Sequence, residues 1–174
     1  MRVMFASILS LVLPIAAFAA GSGNTSPPKP VVKCEDGQVY EKKSKTCVDA
    51  KDSRLTPDDR YQAVRVLAYA GAYEDAHVVL AAMPEYDDRR LTYMGFTTRK
   101  MGDLSGSMTF YARAIEANPA NILARSYLGQ ALVEQGNIPA ALTELRAIRA
   151  HGGAGTWAEA SLRTAISTGQ TFSY

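Results

Sequence analysis

The side chains that could do chemistry in this sequence are two cysteines, two histidines and several neighbouring carboxylates. A metal site needs three or four ligands close together, whereas His77 and His151 lie far in sequence from each other and from both cysteines. The acidic pairs each lie near the start of a predicted helix, where negative charge complements the helix dipole. These pairs are Asp58–Asp59, Glu74–Asp75 and Asp87–Asp88. They therefore predict neither a metal centre nor a pair of acid–base catalysts.

Enzyme motifs are missing from the sequence. It contains no Gly-rich phosphate loop, no G-x-S-x-G nucleophile turn and no H-E-x-x-H helix. His77 lies beside two valines in a predicted helix, and His151 lies at a helix end, where a cation stabilises the terminal carbonyls. We therefore expect a non-catalytic protein with no cofactor and no metal. An unrecognised active site around His77 is the enzyme alternative.

The cysteines predict a disulfide. Cys34 and Cys47 enclose twelve residues, in which Asp36–Gly37 indicates a turn and Val39–Tyr40 a strand. Closing a loop of this size stabilises a fold by about 3 kcal/mol in the chain-entropy model. The spacing differs from that of a C-x-x-C redox pair. We expect a small disulfide-closed hairpin lobe over residues 34–50.

The first 20 residues have the pattern of an export signal. Arg2 supplies a positive charge, residues 3–18 are almost wholly apolar, and Ala17–Ala19 form an A-x-A site. The alternative is a retained membrane anchor. Residues 21–33 are rich in Gly, Ser and Pro and are typical of a linker. We expect export, most simply to the periplasm of a Gram-negative bacterium, without stable membrane insertion after cleavage.

Composition limits the remaining classes. A chain of 174 residues with 47% hydrophobic residues supports one domain of ordinary size. A formal net charge of +2 gives no concentrated basic face, so we expect no nucleic-acid partner.

Internal repetition begins at residue 57. Gly71, Gly102 and Gly136 are 31 and 34 residues apart, and each separates two helical patterns. Each is followed at fixed spacing by a bulky, a small and a large residue. These are Tyr73, Ala76 and Leu80 in the first unit, Leu104, Ser107 and Tyr111 in the second, and Ile138, Ala141 and Leu145 in the third. Repetition at this period predicts a helical solenoid.

The phase within each unit resembles the tetratricopeptide repeat. The second unit opens its first helix with Leu91-x2-Met94-Gly95, and the third with Leu128-Gly129-x2-Leu132. The resemblance implies an all-α solenoid of about three helix pairs over residues 57–168. Its parts are units 57–87, 88–121 and 122–155, a capping helix at 156–168 and a tail at 169–174. Thr156 and Glu159 predict a capping box at the last helix, which gives seven helices in all.

In this family, the first helices of successive units line a groove that takes up a peptide. The resemblance implies partner-binding residues at the equivalent positions of the first helices. These are Tyr61, Arg65, Tyr69, Arg89, Thr92, Phe96, Arg99, Ser126, Gln130 and Val133. The tyrosines and Phe96 would be aromatic anchors, and Arg65 and Arg99 would pair with a carboxylate or carbonyls. The alternative is that Phe96 and Tyr69 pack between helices. Lys and Asn of the carboxylate-clamp subfamily are absent at 61 and 65, so that activity is not implied.

Two functions follow as hypotheses. The first is a scaffold or adaptor that binds a protein or peptide partner in envelope assembly or secretion. The alternative is a protein that binds cell wall or glycan through the Cys34–Cys47 lobe, with the repeats as a stalk. Self-association through the amphipathic last helix is also open.

Overall fold

A computed structural model describes residues 32–172. The predicted signal peptide and residues 21–31 of the predicted linker lie outside this range. The described residues form seven helices and one two-stranded sheet, which confirms the predicted fold class. The strands are β1 (Val39–Glu41) and β2 (Thr46–Val48). The helices are α1 (Pro57–Tyr69), α2 (Tyr73–Ala81), α3 (Asp88–Lys100), α4 (Leu104–Ala117), α5 (Ile122–Glu134), α6 (Ile138–Ala150) and α7 (Trp157–Thr168).

Short polar residues start the helices. Asp103, Asn121 and Asn137 each accept a hydrogen bond from a backbone N–H in the first turn of α4, α5 and α6. Thr56 and Asp59 form a reciprocal capping box at α1. Hydrogen bonds from Thr56 lower the pKa of Asp59 to about 2. Lys42 adds to this effect, and partial burial opposes it.

The capping box predicted for α7 is only half formed. Thr156 accepts a hydrogen bond from the Glu159 N–H. The Glu159 carboxylate does not return this bond to Thr156; it accepts from the Gly155 N–H at 2.7 Å and from Arg149 Nε at 2.6 Å. The prediction of a full box was wrong because the arginine of the preceding helix draws the carboxylate one residue earlier.

Helices pair in sequence order to build the array. Each first helix packs against the second helix of its unit, and α7 packs against α5 and α6. The first helices also contact one another, α1 with α3, α3 with α5 and α5 with α7, while no comparable contact joins the second helices of the described chain. Helices on the inner side of a curved stack approach each other most closely. We call the surface formed by α1, α3, α5 and α7 the inner face.

A series of aromatic rings links the units through the core. Tyr61 meets Tyr93 with ring centroids 5.7 Å apart, and Tyr93 meets Phe96 at 6.1 Å. Phe96 then contacts Tyr127 at 5.1 Å, and Tyr127 contacts Trp157 at 6.2 Å. Because successive rings come from α1, α3, α5 and α7, they hold the first helices together.

The disulfide lobe covers the open end of the array. Cys34 and Cys47 form the predicted bond, and β1 pairs with β2 in antiparallel register. Val39 is 1% exposed and lies in the same core as α1 and α2. Arg60 of α1 donates hydrogen bonds to the carbonyls of Ala50, Asp52 and Leu55, which fixes the chain after the lobe. The lobe therefore shares the core of the array. The sequence had indicated only the disulfide as a constraint on the lobe.

No helix among residues 32–172 has both the length and the apolar character needed to cross a membrane. Within the same residues, no three His, Cys, Asp or Glu side chains come together as a candidate metal site.

Candidate functional site

The ten predicted partner-binding residues all lie on first helices. Three are on α1, four on α3 and three on α5. Arg89 and Tyr69 are partly exposed. The other eight are at least nine-tenths buried, namely Tyr61, Arg65, Thr92, Phe96, Arg99, Ser126, Gln130 and Val133. The structure brings Tyr61, Arg89 and Thr92 together at one pocket, whereas Ser126, Gln130 and Val133 lie further along α5.

Phe96 packs between helices. It is 1% exposed and contacts the rings of Tyr73, Tyr93 and Tyr127. Phe96 thus follows the alternative in which it packs between helices and is not an exposed anchor. A partner would reach the ring only if these neighbours moved. The role of the other predicted residues in partner binding stays a prediction.

The pocket lies where the N-terminal ends of α3 and α5 meet α1, and its volume is about 330 Å³. It has a polar wall and an apolar wall. The polar wall comes from α3 and from the turn before α5, and the apolar wall includes Ile122 and Leu123. The full lining is Tyr61, Asp88, Arg89, Thr92, Tyr93, Asn118, Ala120, Asn121, Ile122 and Leu123. Its volume lies within the range of known ligand pockets.

Asp88 is the centre of the polar wall. One of its carboxylate oxygens, Oδ2, accepts hydrogen bonds from the side-chain amides of Asn118 and Asn121, both at 2.8 Å. The Asn121 amide also donates to Thr92 Oγ1 at 3.0 Å, and that hydroxyl donates to the Asp88 carbonyl. This network joins the start of α3 to the turn between α4 and α5 and fixes the orientation of the carboxylate.

Arg89 forms the outer edge of the pocket. Its guanidinium lies 4.9 Å from the centre of the Tyr61 ring and donates to Asp87 at 2.9 Å and to Asp58 at 2.6 Å. The bond to Asp87 is the main cause that raises the pKa of Arg89, with Asp58 adding to it. Burial opposes ionisation of Asp87, but hydrogen bonds from Arg89 outweigh it and lower the pKa of Asp87. Burial raises the pKa of Tyr61.

Arg99 lies deeper in the same face. It is 6% exposed and donates from Nη1 to the carbonyl of Tyr127 at 3.1 Å. Its Nε and Nη2 atoms, and the buried hydroxyl of Tyr111, find no hydrogen-bond partner within residues 32–172. Two donor groups of the guanidinium are therefore buried without a hydrogen bond to this part of the chain, which is costly.

A polar row runs between α5 and α7 and ends at the tail. Ser126 and Ser161 share a hydrogen bond at 3.0 Å, and Gln130 Nε2 donates to Ser126 Oγ at 3.4 Å. The Gln130 carbonyl oxygen accepts from the backbone N–H of Phe172 at 2.9 Å. The tail thus contacts a residue of the predicted groove.

Sequence reasoning missed Asp88, Asn118, Asn121 and the tail as parts of this face. The sequence explains Asp88 as a charge at a helix start, which does not reveal its bonds to the turn before α5, 30 and 33 residues away. The two asparagines flank Pro119–Ala120 in the turn before α5. Asparagine at such a turn predicts a helix cap, and Asn121 is one; its second role depends on how the units stack.

Stacked helix pairs with a pocket between the first helices define a helical-repeat protein. Residues 99–161 match the family model described as tetratricopeptide repeat, a segment that runs from the end of α3 into α7. This match supports the tetratricopeptide repeat that the sequence pattern predicted. Comparisons with curated proteins and with solved structures gave no match. Repeats of this family generally form non-catalytic modules for protein interaction.

Proposed function

We propose that this protein is a non-catalytic scaffold that binds a protein or peptide partner on its inner face. The observation that carries the proposal is the pocket between α1, α3 and α5. It combines the hydrogen-bonded Asp88 carboxylate, the Arg89 guanidinium over the Tyr61 ring and an apolar wall. The pocket therefore offers both polar and apolar contacts to a partner.

Filling the pocket tests this proposal without removing any contact of the fold. Ala120 is exposed at the pocket rim, so Ala120→Trp places an indole where the partner would bind. Ala112 is exposed on α4, a second helix, and Ala112→Trp is the matched control. The experiment is affinity capture from the extract of the native cell with wild type and both variants. A partner held by wild type and Ala112→Trp but lost by Ala120→Trp supports the proposal. Retention by all three proteins contradicts it.

We further propose that the protein acts after export, in the cell envelope, in an assembly or secretion complex. The signal-like pattern of residues 1–20 supports export, and the Cys34–Cys47 disulfide is of the kind that persists in oxidising compartments. Cell fractionation with an antibody tests this. Recovery in the periplasmic fraction with the N-terminal pattern removed is the expected result, and recovery in the cytoplasm with Met1 intact contradicts it.

A further inference from the structure

The tail turns back onto the inner face after α7. Gly169 takes a left-handed conformation, with φ of +74°, and ends the helix. Residues 170–172 then have no regular secondary structure. The Thr171 hydroxyl donates to Glu134 Oε1 at 2.6 Å, and the Phe172 N–H donates to Gln130 Oε1 at 2.9 Å. The tail therefore contacts two positions one turn apart on α5.

Gln130 is prepared for this contact. It is fully buried, and the bond from its Nε2 atom to Ser126 orients the amide so that its oxygen faces the tail. A side-chain carbonyl that accepts from a backbone N–H recognises extended chain and not a particular side chain. Glu134 lies exposed one turn later and adds a preference for a hydroxyl in the preceding residue.

Hydrogen bonds hold the described part of the tail, residues 170–172, at two points. Thr171 and Phe172 each donate one bond to a side chain of α5, and Phe172 keeps 38% of its surface exposed. The bond to Glu134 is exposed and the bond to Gln130 is partly buried, and hydrogen bonds of this kind each stabilise a contact by only about 1 kcal/mol. A partner segment with more contacts could therefore replace the tail.

We propose that Gln130 and Glu134 form a binding site for an extended peptide segment with a hydroxyl residue followed by a free backbone N–H, and that residues 170–172 occupy this site. This rests on the proposed function, because it assigns the inner face a partner chemistry. Leu123 of the pocket and Gln130 are seven residues apart on α5, about 10 Å along the helix axis. Three or four extended residues span that distance, so one segment can contact both the pocket and this site.

The experiment adds the tail back as a separate peptide. A chain that ends at Gly169 is titrated with the peptide of residues 169–174, GQTFSY, and backbone amide shifts are followed by NMR. We expect saturable shifts at Gln130 and Glu134, and at least tenfold weaker binding to the full chain, where the tail competes. A scrambled peptide of the same composition should not bind. Absence of binding to the shortened chain, or equal affinity for both chains, overturns the proposal.

Two variants separate recognition from a loss of fold. Phe172→Pro in the full chain removes both the N–H that donates to Gln130 and the partly buried ring, so it should release the tail and raise peptide affinity toward that of the shortened chain. Gln130→Ala in the shortened chain should weaken binding about fivefold, the equivalent of one hydrogen bond, whereas Gln135→Ala, exposed at the end of the same helix, should not. An unchanged affinity of Gln130→Ala overturns the site. The proposed function is tested separately by Ala120→Trp, so the two can fail independently.

Discussion

The ring of Tyr111 on α4 packs directly against the α-carbon of Gly95 on α3. A Cβ atom on Gly95 would lie 2.5 Å from ring carbon Cε1 and 3.0 Å from the backbone carbonyl of Ser107. Tyr111 is fully buried, so its ring has no free space to enter. The two helices of the second unit thus approach at a distance that only glycine allows.

Gly95→Ala should therefore destabilise the protein. We expect a fall of about 1–3 kcal/mol in the free energy of unfolding, because the overpacking outweighs the better helix propensity of alanine. Urea denaturation followed by circular dichroism measures this. Gly129→Ala is the comparison and should destabilise less, because the three atoms nearest its Cβ all belong to the buried Leu162 side chain and none to the backbone. Gly95→Ala as stable as Gly129→Ala or wild type would contradict the account.

Arg99→Met should stabilise the protein. The substitution removes two buried donors that have no partner within the described residues, and the Tyr127 carbonyl lies inside α5 and keeps its helical bond. We expect a gain of about 1–2 kcal/mol in the free energy of unfolding. Arg146→Met, at an exposed position of α6, should change little. A loss of stability in Arg99→Met would show that the guanidinium has a stabilising partner.

Loss of the disulfide should loosen the lobe and leave the later units intact. Replacement of Cys34 and Cys47 by serine removes a loop constraint worth about 3 kcal/mol. Hydrogen exchange should then become faster at Val39, whose N–H lies in the small sheet, and stay slow at Tyr127 in α5. Equal exchange at Val39 in both proteins would mean that core contacts alone hold the lobe.

His77 should make stability depend on pH. Burial lowers the pKa of His77, against a smaller opposite effect of Glu74, and its Nε2 atom lies 2.6 Å from Thr97 Oγ1 on α3. As the pH falls below about 6.5, the unfolded histidine binds a proton before the folded one, so stability decreases. Thermal unfolding at pH 7.5 and 5.5 should therefore show a larger decrease for wild type than for His77→Gln. An equal decrease in wild type and in His77→Gln would contradict this role of His77.

The repeat architecture was readable from sequence because small and large residues recur at fixed spacing. Gly95, Ser107 and Tyr111 pack against one another in the structure, as their spacing implied. The seven helices and the disulfide followed from equally local signals. Each reflects a constraint that acts within one unit or one short loop.

The site was less predictable because it depends on contacts between units. The repeat pattern predicts that Phe96 lies on a first helix, and the structure agrees. The same pattern does not predict that Tyr127 of the next unit covers its ring. Likewise, the bond from Asn118 to Asp88 joins the two ends of the second unit across 30 residues, and the bond from Phe172 to Gln130 joins the tail to the third unit across 42 residues. Such contacts depend on the stacking geometry, which no local pattern encodes.

The central claim is that the inner face binds the partner, and site-directed photo-cross-linking in the native cell tests it most directly. Benzoylphenylalanine is introduced at Ala120, on the rim of the pocket, or at Ala112, on the second helix of the middle unit. We expect a cross-linked partner from position 120 and none from position 112. A cross-link formed at position 112 but not at position 120 would contradict the claim.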